Sequence, residues 1–247
     1  MTRAAIMQPT FLPWLGYFAL LDRADVFVYL DDVQLARRSW QVRNRVATPN
    51  GVVTLSLSVA GKPSRPLLAD TRLADTGQER KLLATLGQAL AGAPFAAPVE
   101  ALVRRCVETA EGSLARLNVS LIEGIAAMAG IGGTRVRASE LGVPPAEKAE
   151  RLLAICERVG ADEYLSAIGS VAYLAEHDPF EASAVRLRFL DYEHPRYERG
   201  GRPFESHLAA VDALAWVGPE RFASLVRSGV RPALTLAEAT ARTGEEA

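Results

Sequence analysis

Three short stretches hold more hydrogen-bonding groups than a folding core requires. They are Gln8-Pro9-Thr10-Phe11-Leu12-Pro13-Trp14-Leu15-Gly16-Tyr17-Phe18, Leu30-Asp31-Asp32-Val33-Gln34, and Arg37-Arg38-Ser39-Trp40-Gln41-Val42-Arg43-Asn44-Arg45. Adjacent carboxylates can coordinate Mg²⁺, bind sugar hydroxyls or act as a general base, which makes Asp31 or Asp32 a candidate catalytic group. The structural alternative is that one caps the next element and the other pairs with an arginine. Strand alternation turns neighbours to opposite sides, so only one of the two is expected to face a ligand. Arg37, Arg38, Arg43 and Arg45 outnumber the local acids. Guanidinium groups hold phosphate and carboxylate through two parallel bonds, which suits an anionic substrate, a carrier phosphopantetheine or a nucleotide diphosphate. A solvated hairpin arm is the competing reading. Gln8, Trp14, Tyr17, Trp40 and Asn44 complete this binding set.

The chain has three histidines, His177, His194 and His207. His194 lies in Asp191-Tyr192-Glu193-His194-Pro195-Arg196-Tyr197, where Pro195 keeps it extended; it is the candidate proton shuttle, with Tyr192 beside it. His207 precedes the apolar-periodic run Leu208 to Trp216, near Asp212, and is a second group able to titrate near neutral pH. His177 sits in a charged helix end and reads as a surface residue. Ser166 opens Ser166-Ala167-Ile168-Gly169-Ser170, a turn that could hold a phosphate at the start of a helix. It lacks the Gly-rich phosphate-loop and dinucleotide patterns. No Gly-x-Ser-x-Gly elbow or His-Glu-x-x-His is present, so ordinary hydrolases lose ground. No spacing marks a metal site, and the cofactor stays unspecified.

Positioning these groups falls to alternating strands and helices. Ala4-Ala5-Ile6-Met7 reads as a buried strand, Trp14 to Asp22 as a helix, and Val26 to Leu30 as a second strand ending in the paired aspartates. A parallel pair joined by a crossover brings the Gln8 loop and Asp31-Asp32 to the carboxyl edge of a sheet, where α/β folds bind ligands. Arg43 to Thr48 and Val52 to Val59 flank Pro49-Asn50-Gly51 as a β-hairpin. The stretch 78–130 is helical, broken near Gly92-Ala93-Pro94 and Gly112-Ser113. Further strands are expected at Arg135 to Ala138, Tyr164 to Ser166 and Val185 to Phe189, and a helix at Ala146 to Val159. The expectation is one α/β domain over residues 1–230, with a Rossmann-like, mainly parallel sheet flanked by helices, a hairpin and a helical insertion. The stretch 231–247 reads as a weakly anchored helix or tail. Gln8, Asp31 or Asp32, Asn44 and His194 should then line one cleft.

Composition narrows the function classes. The 247 residues are 49% hydrophobic, enough for a sizeable core. Lys and Arg total 28 against 29 Asp and Glu, a net charge of -1 that argues against nucleic acid as a partner. No apolar run is long enough to cross a membrane, and Gln8-Pro9 and Pro13 interrupt the N-terminal run before it could act as a signal core. A cytoplasmic protein is expected. Cys106 and Cys156 are far apart in apolar-periodic stretches and read as small core residues.

The motifs together resemble the WbqC-like family over nearly the whole chain. The resemblance rests on Ile6-Met7-Gln8-Pro9 with Leu12 to Phe18, Asp31-Asp32-Val33-Gln34, Trp40 with Arg43-Asn44-Arg45, Pro49-Asn50-Gly51, Tyr164-Leu165-Ser166 and Tyr192-Glu193-His194-Pro195. It implies work on an activated sugar or a carrier-bound acyl intermediate in surface-polysaccharide or specialised-metabolite biosynthesis. An acyl or aminoacyl transferase acting on an amino-sugar is the expected activity; a non-catalytic module binding a nucleotide-sugar or an acyl carrier protein is the alternative. Leu82 and Ala167 stand where the family often has histidine and glycine. Trp14-Leu15-Gly16-Tyr17 also occupies the place of the His-x-Gly-His signature of nucleotidylyltransferases, with both histidines missing.

Overall fold

The computed structural model describes residues 1–36, 39–61, 66–146 and 148–245. At its centre is a parallel sheet of β1 (Arg3–Met7), β2 (Val26–Tyr29), β5 (Thr134–Arg137), β6 (Glu163–Ala167) and β7 (Arg186–Leu190) in the spatial order β5-β2-β1-β6-β7. Parallel strands need a crossover connection. Helix α1 (Leu15–Arg23) supplies it between β1 and β2, α5 (Lys148–Arg158) between β5 and β6, and α6 (Val171–Glu176) between β6 and β7. The expected mixed α/β architecture is therefore present.

Alternation along the strands sends residues into two cores. Ala5, Phe27, Tyr29, Leu165 and Leu190 join the larger one, built with α1, α2 (Gln78–Leu90), α3 (Ala96–Thr109), α4 (Leu114–Met128), α7 (Ala210–Val217) and α8 (Pro219–Ser228). Ala4, Ile6, Val28, Tyr164 and Phe189 face the smaller one, under α5, α6 and α9 (Leu236–Glu245). A sheet covered on both faces explains why β1 and β2, which lie inside it, lack polar alternation.

Between β2 and β5 the chain makes a detour through an antiparallel hairpin, β3 (Arg43–Thr48) with β4 (Gly51–Ser56), and then α2 to α4. Thr48 pairs with Gly51, so the turn is centred on Pro49-Asn50. Proline pre-sets the first turn position, and Gly51 follows at a φ of 113° that a side chain would resist. The stretch from Arg231 packs more firmly than its composition foretold. Leu234 bridges antiparallel to Phe189, Ala239 of α9 is fully buried, and Arg242 pairs with Asp191 at 2.8 Å.

One detail of register creates the site. β1 pairs with β2 along its length as far as Met7 and Tyr29, but with β6 only at Arg3/Glu163 and Ala4/Tyr164. The two central strands thus part before their carboxyl ends. That is also where strand order reverses, the position at which open α/β sheets form their ligand crevice.

Candidate active site at the carboxyl edge of the sheet

The crevice is filled by the loop from Gln8 to Trp14, and buried amides hold that loop in place. Asn44 of β3 donates from Nδ2 to the carbonyls of Phe11 (3.2 Å) and Leu12 (2.7 Å), while its Oδ1 accepts from the Arg45 amide at 2.8 Å. Asn118 of α4, fully buried, donates to the carbonyls of Pro9 at 2.9 Å and Gln41 at 2.8 Å. Leu12 sits at a φ of 44°, a conformation a branched residue keeps only when its surroundings impose it. The side chain of Gln41 donates to that of Gln8, and the Tyr17 hydroxyl donates to the Gln8 carbonyl at 3.3 Å.

Trp14, the residue before α1, is the hub. Its indole folds back over the first turn of the helix so closely that a Cβ on Gly16 would lie 2.3 Å from the ring. Glycine is the residue that admits this approach. Around the indole, Tyr192 meets it edge-on at 5.5 Å, His194 stacks at 6.1 Å and His207 leans on it at 4.8 Å. Tyr192 is placed by another glycine: a Cβ on Gly229 would be 2.3 Å from the Glu193 carbonyl oxygen.

Two cavities of about 480 Å³ each flank Trp14. Met7, Trp14, Tyr17 and His207 wall both. The first adds Thr10, Pro13, Trp40, Asn44 and Arg45. The second adds Ala167, Ile168, Leu190, Asp191, Tyr192 and Arg242, among others. Their size is that of a small-molecule site.

The imidazoles are tuned by burial. Burial pushes His194 down to about 4, and the neighbouring His207 adds to the shift, outweighing its backbone hydrogen bonds. Its Nδ1 lies 3.0 Å from the Pro195 carbonyl, which can only accept, so Nδ1 carries the proton and Nε2 the lone pair. His207 is also lowered, first by burial and then by the Arg45 charge. Both rings are neutral at pH 7 and able to take a proton. His207 has a φ of 57°, and Arg45 Nη2 donates to the carbonyls of Ser206 (3.3 Å) and His207 (3.5 Å). The segment carrying His194 is anchored by the buried pair Arg199–Asp212, with bonds of 2.9 and 2.8 Å, and by the Tyr197 hydroxyl on Asp212 at 2.6 Å.

Trp14, Tyr17, Trp40, Asn44, Arg45, Tyr192 and His207, all picked out from sequence, thus meet at one place. Gln8 joins them through the loop it begins. His194 stands behind Trp14, its ring centroid 5.0 Å from that of His207, rather than on either cavity wall. Arg43 lies over the exposed Trp40 ring at 5.6 Å. The paired aspartates go elsewhere, against the expectation of a shared cleft. Asp31 is fully buried and accepts from the amide and hydroxyl of Ser139, both at 3.0 Å, with Arg137 3.8 Å away. Asp32 pairs with Arg151. The carboxylates satisfy the turn after β5 and helix α5, one strand away from the crevice. Ser166 also points away, toward Tyr164 and Ser170, because alternation in β6 turns it to the other face of the sheet. Arg38 lies outside the described residues, as does Arg37. Leu82 is in the core, outside both cavities, whereas Ala167 lines the second.

Asn118, Asp191, Arg199, Asp212 and Arg242 were not singled out as site residues. A lone Asp212 inside an apolar run was a legible signal, since a buried charge must be paired. Asn118 and Arg242 lie on elements distant in sequence, and the partners of Asp191 and Arg199 appear only in three dimensions. Among the described residues, no cluster of His, Cys, Asp or Glu could hold a metal ion, and no helix is long and apolar enough to cross a membrane.

The model of the WbqC-like protein family matches residues 8–224, a span that takes in the loop, the hairpin and the His194 segment. The chain belongs to the WbqC-like family. An uncharacterised protein of Mycobacterium tuberculosis strain H37Rv, Rv1507c, is 30% identical to it over 224 residues, covering 89% of this chain and 96% of that one. No solved structure matches at a significant level. This WbqC-like chain therefore has its family from comparison, and its chemistry has to be read from the crevice.

Proposed function

We propose that this WbqC-like chain is a transferase moving a small acyl or aminoacyl group from a thioester-type donor onto the amine of an amino-sugar or related acceptor, in surface-polysaccharide or specialised-metabolite biosynthesis. The observation that carries the reading is the shared imidazole. His207 walls both cavities, so groups bound on either side of Trp14 would meet beside it. The acceptor nitrogen attacks the acyl carbon; a C–N bond forms and the C–S bond breaks. The proton leaving nitrogen goes to neutral His207, which then gives it to the departing thiolate. His194, Nε2 lone pair intact, backs the ring from behind Trp14. Asn44 lines the first cavity, Gln8 helps hold the loop beside it, and Arg45 answers an anionic part of the donor. The donor would arrive on an acyl carrier protein, and the acceptor as a free or nucleotide-linked amino-sugar. This moves the proton shuttle from His194 to His207, because His207 is the one on the walls.

Turnover is the test. Aminoacyl pantetheine thioesters and acyl carrier proteins are paired with amino-sugars, and amide product is read by mass spectrometry. The wild-type protein is expected to form the amide, and His207→Gln to be slower by roughly 10²–10⁴-fold. Ligand binding without product across the panel would return the chain to a non-catalytic module for a nucleotide-sugar or carrier protein.

A further inference from the structure

The two cavities differ in charge although they share four walls. In the first, Arg45 is a cation that no acid among the described residues answers. Among the described residues no carboxylate lies within ion-pair distance of Arg45 or Arg43. Nε of Arg45 is buried without a hydrogen-bond partner. The other walls are largely apolar, and Trp40, 52% exposed, stands at the mouth with the Arg43 guanidinium 5.6 Å from its centroid. A partly buried, uncompensated guanidinium favours an anionic ligand, and apolar walls favour a thin uncharged stem behind the anion. In the second cavity the cation is already neutralised: Arg242 Nη1 donates to Asp191 Oδ2 at 2.8 Å. Asp191 lines this cavity and its Oδ1 meets no hydrogen-bond donor among the described residues, leaving an acceptor for an ammonium or hydroxyl group.

We propose that Trp14 divides the crevice into two subsites of opposite chemistry: an Arg45 chamber for an anion-tailed donor and an Asp191 chamber for an amine- or hydroxyl-bearing acceptor. The words donor and acceptor rest on the transferase reading; the two binding chemistries do not. The division predicts simultaneous rather than competing occupancy, because the charged walls differ and only Met7, Trp14, Tyr17 and His207 are common to the two chambers.

Calorimetric titration with defined probes tests this. Pantetheine 4′-phosphate and pantetheine report on the Arg45 chamber, and glucosamine on the Asp191 chamber. In the wild type, the phosphate should raise pantetheine affinity by about tenfold or more, the scale of a charge-assisted contact. Arg45→Met should erase that difference while leaving glucosamine affinity within about twofold. Asp191→Asn, whose amide oxygen can still accept from Arg242, should weaken glucosamine and spare both pantetheines. Thermal melts of each variant verify folding; where Asp191→Asn is unfolded, Asp191→Glu replaces it and should shift glucosamine affinity alone. Saturating glucosamine should leave phosphopantetheine binding intact. Mutual displacement of the probes, equal weakening of both by either variant, or no binding of either to the wild type would overturn the two-subsite assignment. Independent binding without turnover would leave it standing and remove the transferase reading alone.

Discussion

The carboxyl ends of β2 and β1 are neighbours in the sheet, both follow apolar strands, and both end in polar residues; they differ in whether the charges gathered there are paired. After β2, Asp31 is capped by Ser139 with Arg137 nearby and Asp32 is paired with Arg151, so each carboxylate has a cation within the fold, although Asp32 Oδ1 and Arg151 Nε meet no hydrogen-bond partner among the described residues. After β1, the loop to Trp14 and its partners keep groups that the fold does not answer. Among the described residues Arg45 Nε and the Tyr192 hydroxyl are buried without a partner, Leu12 and His207 occupy left-handed backbone, and two imidazoles are held neutral chiefly by desolvation. Such unpaired and strained groups cost stability and persist where the rest of the structure imposes them. The density of polar residues is therefore a poor guide to a site. Whether their charges are paired within the fold is a better one.

The comparison breaks or holds under substitution. The largest contrast should be in turnover. His207→Gln is expected to slow transfer by roughly 10²–10⁴-fold with a small change in stability, since His207 is exposed. Steady-state rates beside a urea melt decide this, and an unchanged rate would move the chemistry away from the crevice.

Next comes the buttress beneath the site. Asp212→Ala strands the buried Arg199 guanidinium and should cost about 3–5 kcal/mol in denaturant unfolding. A loss below about 1 kcal/mol would mean that the His194 segment is held by packing alone.

Asp31→Ala tests the charge-paired side. It removes two bonds to Ser139 and should cost about 1.5–3 kcal/mol while leaving ligand affinity unchanged. Lost affinity in a folded Asp31→Ala protein would restore the carboxylate to the site.

The smallest effect is in pH. Both His194 and His207 have folded values below the ordinary 6.5, so between the two values the unfolded chain binds more protons than the folded one. Stability contributed by their neutrality is full above about 6.5 and falls as pH drops, for His194 through about 4. His194→Phe, which keeps an aromatic ring beside Trp14 but cannot protonate, should flatten that acid-side slope in melts from pH 7 to pH 4. An unchanged slope would locate the titrating group elsewhere.

Much of the fold was legible because the signals are local. Apolar runs such as Ala4 to Met7 and Val26 to Tyr29, the 3.6-residue spacing of Leu152, Ile155 and Cys156, and the turn chemistry at Pro49-Asn50-Gly51 each act through neighbours in the chain. Cys106 and Cys156 are buried, as their periodic settings implied, and burial pushes the Cys156 thiol up to about 12, so it is no nucleophile at neutral pH. Part of the site was legible too, because Trp14, Asn44, Arg45, Tyr192 and His207 are residue types that a core or a plain surface rarely needs in such company.

What the sequence by itself determined is the parallel α/β rhythm, the hairpin, the helical insertion and the set of unusual polar and aromatic residues. Which of those residues meet was decided only by tertiary structure. The ladder between β1 and β6 ends at Ala4 and Tyr164, and the gap beyond it draws in the Trp14 loop while the second strand's aspartates stay outside. Alternation in β6 turns Ser166 away, and α9, at the far end of the chain, brings Arg242 to Asp191. These outcomes depend on strand order, register and long-range packing, and the pairing of a buried charge with a distant partner leaves no periodicity for a local pattern to record.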